Sequence, residues 1–278
     1  MSDVASVELW SGKGAGDENF PVGSQLIRAN LRPHVHAFYM FARNADDIAD
    51  SATLAPADKL ARLDRMEAVL TGQVDSGSPS AAKLRAMLPE TGVTMRHSLD
   101  LLRAFMQDAE KNRYRNWDEL LDYCRYSAMP VGRHVLDLHG EDLGTYPPSD
   151  ALCASLQVLN HLQDCAKDLN ALDRCYLPDD RLAEFGVSID DLRANQASPG
   201  LRKVLDVLLD EVDQLNLTAA DLPRRVRDRR LRVETAVIVG LAKRLARRLR
   251  REDPLAGRVK LTKGDVAVSV VLAMRRLA

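Results

Sequence analysis

Apolar residues recur at three- and four-residue spacing along almost the whole chain, and the two-residue alternation of a half-buried strand is scarce. That pattern predicts an all-α fold. Helices are expected over Pro21–Asn30, from about Pro33 to Ser51, over 55–72, and near 80–88, 94–111, 117–140, 149–172, 199–220, 223–251 and 264–277. Pro33 suits a first helical turn, where its missing N–H costs nothing. Gly72 suits the end of the helix over 55–72. "VDSGSPS" (74–80) reads as a loop, and "LGTYPPSD" (143–150) and "YLPDD" (176–180) read as proline breaks between helices. No long linker or repeat divides the chain. Residues 1–278 are therefore expected to form one helical bundle domain, with residues 1–20 as a flexible lid or N-terminal segment.

Two of these helices carry polar stripes where apolar positions surround them. In "FYMFARNADDIAD", Tyr39, Arg43, Asp46, Asp47 and Asp50 fall along one side, flanked by Phe38, Phe41, Ala42, Ala45 and Ile48. Asp46 and Asp50 lie one turn apart, about 6 Å of rise. In "LQVLNHLQDCAKDLNALDRCYLP" (156–178), Gln157, Asn160, Asp164 and Asp168 form a second stripe among leucines and valine. Either stripe alone reads equally well as a solvated acidic face. Two of them on long helices of one bundle point to something else, because carboxylates converging in a cavity repel unless cations neutralise them. Mg²⁺ takes oxygen ligands and bridges carboxylates to phosphates. Arg43 can pair with its neighbours or with a phosphate. The inference is a Mg²⁺-dependent site for a diphosphate.

Charge and composition narrow this little. Net charge is −1, so bulk charge names no partner. Between Arg224 and Arg276 there are 17 Lys or Arg, which read as a solvated helix face or as contact with an anionic membrane. Nucleic acid is not expected, since no aromatic is interleaved with the basic run. Cys124, Cys153, Cys165 and Cys175 include no CxxC pair, so free thiols are expected in place of a zinc site. The six histidines are scattered and read as surface or satisfied core residues. The N-terminus lacks a basic-then-apolar signal, and no apolar run is long enough to span a bilayer. The expected location is cytoplasmic, with peripheral contact at the inner face of the cell membrane as a separate expectation. "SGKGAGDENF" matches neither a dinucleotide fingerprint nor a phosphate loop.

"YMFARNADDIAD", "QVLNHLQDCAKD", "YCRYSAMPVG" (123–132) and "RCYLP" (174–178), in this order, resemble the motifs of the squalene/phytoene synthase family over nearly the whole chain. The resemblance implies the class I isoprenoid synthase fold, with about three Mg²⁺ ions held against a substrate diphosphate. Asp46, Asp47, Asp50, Asn160, Asp164 and Asp168 match the metal-binding positions. Arg43 matches a residue that grips the diphosphate, and Tyr126 a pocket tyrosine; with Asp46 and Asp50 these are the catalytic candidates. Tyr39, Gln157, Arg174 and Tyr176 match positions near the diphosphate, Gln163 is a substrate-binding candidate that departs from the family pattern, and Asn19 and Phe20 are candidates to close the pocket mouth, with a local turn as the other reading.

"GKGAGDENFPVGSQLIR" (12–28) further resembles the hydroxysqualene synthases of bacterial hopanoid pathways. "DENF" stands where other members tend to have a "SKSF"-type stretch, and Gln163 stands where many carry Arg. The implied reaction turns presqualene diphosphate into hydroxysqualene and diphosphate by ionisation, rearrangement and water capture, with no NADPH expected. The implied partners are the isoprenoid diphosphate and the enzymes that make presqualene diphosphate and reduce hydroxysqualene. The alternatives are condensation of two farnesyl diphosphates to presqualene diphosphate, squalene or a phytoene-like product, and, in another class, a non-catalytic helical binding module.

Overall fold

Proline and serine punctuation opens most of the helices in the computed structural model, which describes residues 6–9 and 26–277. Pro33 lies in the first turn of α1 (Arg32–Ala49), Pro56 in that of α2 (Pro56–Leu70) and Pro79 in that of α3 (Pro79–Thr91). The Ser78 side chain accepts the Ala81 N–H at the start of α3, and Gly92 ends that helix at φ +69°, a backbone that favours glycine. α4 spans Arg96–Glu110. Asn19, Phe20 and the glycine-rich opening lie outside the described residues. So does most of the helix expected over Pro21–Asn30, whose remaining positions, 26–30, form turns and bends without helix.

The contacts gather into two compact units. The first comprises residues 1–111 and 133–141. In it α1 packs on α3 and α4, and α2 on α3 and α4. Phe41, Ala45 and Ile48 of α1, Leu63, Met66 and Leu70 of α2 and Leu101 and Leu102 of α4 are sealed from solvent in one cluster. Burying each large side chain of this kind contributes about 1.5–3 kcal/mol. This cluster is what the apolar flanks of the first acidic stripe are for: they anchor α1 so that its polar side is held in a set direction.

The second unit comprises residues 112–132 and 142–278. It contains α5 (Trp117–Ser127), α7 (Tyr146–Leu172), the short α8 (Asp179–Glu184), α9 (Pro199–Ala219), α10 (Leu222–Arg225), α11 (Arg229–Leu249) and α12 (Lys263–Leu277). α6 (Met129–Leu138) carries the chain from one unit to the other. α7 is the axis of the second unit, packed against α5, α9 and α11. Gly132 allows a close approach here, since an added Cβ would meet Ser149 Oγ and lie 2.7 Å from Cys153 Sγ.

Three expected boundaries move. The helix over 117–140 breaks at Ala128 (φ −127°, ψ −47°) into α5 and α6, because Pro130 has no N–H to continue the ladder. The helix over 223–251 breaks into α10 and α11, where the Asp228 carboxylate accepts the N–H groups of Arg230 and Leu231 and starts a new helix. Pro147 and Pro148 begin α7, so it starts three residues before the expected 149. All regular structure among the described residues is helical, and no described helix is long and apolar enough to cross a membrane. All four cysteines are free thiols.

Candidate active site

The first acidic stripe ends where α1 ends. Asp46 and Asp47 sit in its last turn, and Asp50 is the residue that closes it, donating its backbone N–H to the Asp46 carbonyl at 2.8 Å. Arg43, one turn earlier, reaches both neighbours: Nη2 is 2.5 Å from Asp47 Oδ1 and Nη1 is 3.2 Å from Asp46 Oδ2. The Asp47 side chain is 3% exposed and that of Asp46 34%. Burial, then the nearby Asp50 carboxylate, push the Asp46 carboxyl well above its ordinary range. Asp47 and Asp108 push the same way, and Arg43 opposes them. Tyr39 is half-buried on the same helix.

Asp108 is a member of this carboxylate group that the motifs do not contain. It is 6% exposed on α4, whose buried side also carries Leu101, Leu102 and Ala104. A carboxylate i+4 from a buried alanine and i+7 from a buried leucine is the signal that marks it in the sequence.

In the second unit, α7 carries Gln157, Asn160, Asp164 and Asp168, all part-buried. Asp164 is held by a residue 94 positions away. Arg258 sets its Nε 3.1 Å from Asp164 Oδ1 and its Nη2 3.3 Å from Oδ2, a two-point contact, and Lys167 Nζ lies 3.7 Å from Oδ2. Arg258 sits in an irregular stretch after α11 with no pattern to single it out. Gln163, one residue before Asp164, is 3% exposed and donates its amide to the Val259 carbonyl at 2.5 Å. Gln163 and Asp164 thus fasten the backbone at Val259 and the side chain at Arg258 of one strap.

The "RCYLP" segment is set by the end of α7. Asp173 closes that helix in the left-handed region (φ 53°), and Arg113 donates to its carbonyl and, at 2.7 Å, to its Oδ1. The chain then pairs with the stretch before α5: Cys175 N–H donates to the Asn112 carbonyl at 2.9 Å and Asp179 N–H to that of Tyr114 at 2.8 Å. Tyr176 is thereby buried against His161, ring centroids 3.5 Å apart and nearly parallel, with Tyr114 stacked at 5.5 Å on the same tyrosine. Burial, with Arg174 adding to it, lowers the His161 pKa to about 3. The neutral ring faces the Gln157 amide at 3.2 Å. Arg174 is 5% exposed, and Tyr126 is half-buried at the end of α5.

The oxygens of Asp46, Asp47 and Asp50 on α1, and separately those of Asn160, Asp164 and Asp168 on α7, are hard donors of the kind Mg²⁺ takes. The like-charge repulsion that raises Asp46 is what such a cation relieves. Among the described residues no three His, Cys, Asp or Glu side chains gather into a metal site of their own. Arg43 pairs with Asp46 and Asp47, and Lys167 and Arg258 pair with Asp164.

Comparison with known proteins adds the lineage. The family model described as squalene/phytoene synthase matches residues 14–265. A hydroxysqualene synthase of Sinorhizobium fredii is 48% identical over 258 residues, covering 93% of this chain and 88% of that protein. A hydroxysqualene synthase of Rhodopseudomonas palustris is 47% identical over 271 residues, covering 98% and 92%. The crystal structure of squalene synthase HpnC from Alicyclobacillus acidocaldarius superposes with a TM-score of 0.73 at 33% identity, covering 83% of this chain and 87% of that one. The four ordered motifs, the all-α architecture and these likenesses agree, and the chain belongs to the squalene/phytoene synthase family.

Proposed function

We propose that this protein is a hydroxysqualene synthase, converting presqualene diphosphate and water to hydroxysqualene and diphosphate. The observation that carries the reading is the near-half identity to hydroxysqualene synthases across almost the whole chain. The proposed metal ligands are Asp46, Asp47 and Asp50 on α1 and Asn160, Asp164 and Asp168 on α7, in a chain read as one functional domain. These residues would hold about three Mg²⁺ ions, which would supply positive charge to stabilise a departing diphosphate.

The chain's own residues do the rest. Arg43 already carries a guanidinium fixed at two points, pre-organised to take a phosphate oxygen when a carboxylate releases it. Arg258 holds Asp164 in place until that carboxylate is claimed. Tyr39, Gln157, Arg174 and Tyr176 flank the diphosphate; Gln157 and Tyr176 act through His161, which stays neutral and keeps both in register. Gln163 acts one step back, by fixing the strap that carries Arg258.

In the reaction the C–O bond breaks with its electron pair going to diphosphate. The cyclopropylcarbinyl cation rearranges, water oxygen bonds to the carbon centre, and its surplus proton passes to solvent. Tyr126 turns its ring and hydroxyl toward the cation. No reductant is consumed, so NADPH is not required. The proposed functional partners are the enzymes that make presqualene diphosphate and reduce hydroxysqualene, and the proposed location is cytoplasmic, with peripheral contact at the inner face of the cell membrane.

Pure protein given presqualene diphosphate and Mg²⁺ without NADPH is expected to release hydroxysqualene and diphosphate. Absence of the alcohol, or turnover of farnesyl diphosphate alone to a coupled hydrocarbon, would overturn the assignment.

A further inference from the structure

α12 is built inside out. Its buried side chains are small: Ser269 and Ala273 are 1% and 2% exposed. Ser269 lies against Gly240 of α11, so close that an added Cβ on Gly240 would come within 3.2 Å of it. The large apolar side chains occupy the rest of the helix circumference, a wide outward arc. Val266, Val268, Val270, Val271, Leu272 and Met274 are 40–56% exposed. A helix at the surface of a soluble protein normally turns its large apolar residues inward and its small or polar ones outward. Of the nine large hydrophobics exposed among the described residues, these six share one 15-residue helix, so they form a patch and not a scatter. Val271 projects opposite the seam made by Ser269 and Ala273, and Arg275 continues that outward line one turn later.

Cations rim this patch. Lys260, Lys263 and Arg275 are exposed around α12, and Arg247 of α11 is exposed in the shallow groove it shares with Leu272. Asp265, the acidic residue in the first turn, is already taken: Arg248 Nε lies 2.9 Å and Arg244 Nη1 3.6 Å from its oxygens. The rim therefore presents positive charge to whatever covers the apolar face.

We propose that α12 is a membrane-docking helix, seating its valines, Leu272 and Met274 at the acyl boundary of an anionic bilayer while the rim cations meet the phosphate headgroups. A second copy of the chain is the poorer occupant, because a self-complementary contact would set the same cations against one another. The inference deepens the membrane location proposed above and rests on that reading for its purpose: a long isoprenoid alcohol leaves the enzyme for a bilayer more readily than for water. Its test is a binding measurement that requires no turnover, so its failure is distinct from failure of the assigned reaction.

The full chain is sedimented with phosphatidylcholine vesicles and with vesicles in which about a third of the lipid is phosphatidylglycerol. Binding to the anionic vesicles is expected to be about tenfold or more tighter and to weaken as salt rises through the range that screens surface charge. Val271→Gln with Met274→Gln is expected to lower that binding about tenfold or more, with helix content and turnover of detergent-dispersed substrate unchanged. Lys263→Gln with Arg275→Gln, at exposed positions that do not affect folding, is expected to remove most of the preference for anionic lipid. Wild-type protein that stays in the supernatant at low salt, or both variants binding as wild type, overturns the proposal. A vesicle-free dimer abolished by the apolar variant would assign the face to a second copy and also overturn it.

Discussion

The two acidic stripes solve the same problem by different means. On α1 the counter-charge is local: Arg43 lies three and four residues from its partners, and all three side chains are set by one helix. On α7 only Lys167, 3.7 Å from Asp164, is local, and the two-point contact is remote: Arg258 reaches Asp164 across 94 residues, supported by a buried Gln163 bond to the neighbouring carbonyl. The depth differs too. Asp47 is nearly sealed at 3% exposure, whereas Asp164 is 18% exposed and Arg258 41%. A sealed local ion pair forms with the helix and stays with it. A shallower, remote pair can be opened by moving a strap without disturbing the helix that carries the aspartate. The α1 arrangement is thus a fixed half and the α7 arrangement an adjustable half of the proposed site.

The largest expected effect tests whether both halves act together. Asp50→Asn and Asp164→Asn should each reduce turnover of presqualene diphosphate by about 10³-fold or more, with helical content unchanged by circular dichroism. Retained activity in either would remove that stripe from the site. Asp46→Asn sharpens the comparison through its sign. Its carboxyl is raised by burial and by Asp50, so ionising it costs stability in the metal-free protein. The amide should therefore abolish turnover while raising the melting temperature, the exchange expected where a site is strained for function.

Removing each arginine separates sealed from shallow. Arg43→Met removes the guanidinium paired with the nearly sealed Asp47 and should cost about 3 kcal/mol in urea unfolding. Arg258→Met leaves its aspartate partly solvated, and at such exposure should cost below about 1 kcal/mol. Equal costs would contradict the distinction between the two halves.

Acid provides a probe that treats the two units alike. His134 stacks on Phe38 in the first unit and His161 on Tyr176 in the second, and burial lowers each pKa to about 3. A histidine with a lowered folded pKa binds fewer protons folded than unfolded. Its contribution is present above about pH 6.5 and is lost as pH falls towards 3. Each should cost on the order of 2–3 kcal/mol by pH 4.5, and neither ring should titrate between pH 5 and 8 by NMR. His161→Phe, which keeps the stacking, should flatten the acid limb by one histidine's share.

Much of this was legible in the linear pattern, and particular residues show why. Arg43, Asp46 and Asp47 are neighbours on a helix, so their grouping follows from a 3.6-residue period that needs no knowledge of the fold. The proline at 56 and the glycine at 72 bound α2 as expected, since those residues constrain their own backbone. The break at Ala128 was missed, although Pro130 carried the information, because the apolar period runs on across it. Asp108 lies on the apolar side of its helix, but a single carboxylate usually faces water and its burial depends on the tertiary packing of α4.

The sequence by itself determined most of the long helices, the two acidic stripes and the family, because these depend on residues near one another along the chain or on ordered motifs. Only the tertiary structure decided what answers those charges and what faces outward. Nothing local pairs Arg258 with Asp164 or sets the Gln163 amide against Val259, since both bonds depend on where an irregular strap returns to α7. Nor does the apolar pattern of α12 say which side is buried, because a helix rich in valine all round can pack by any face. Gly240 on α11 made that choice, admitting Ser269 to close contact and turning the large side chains out.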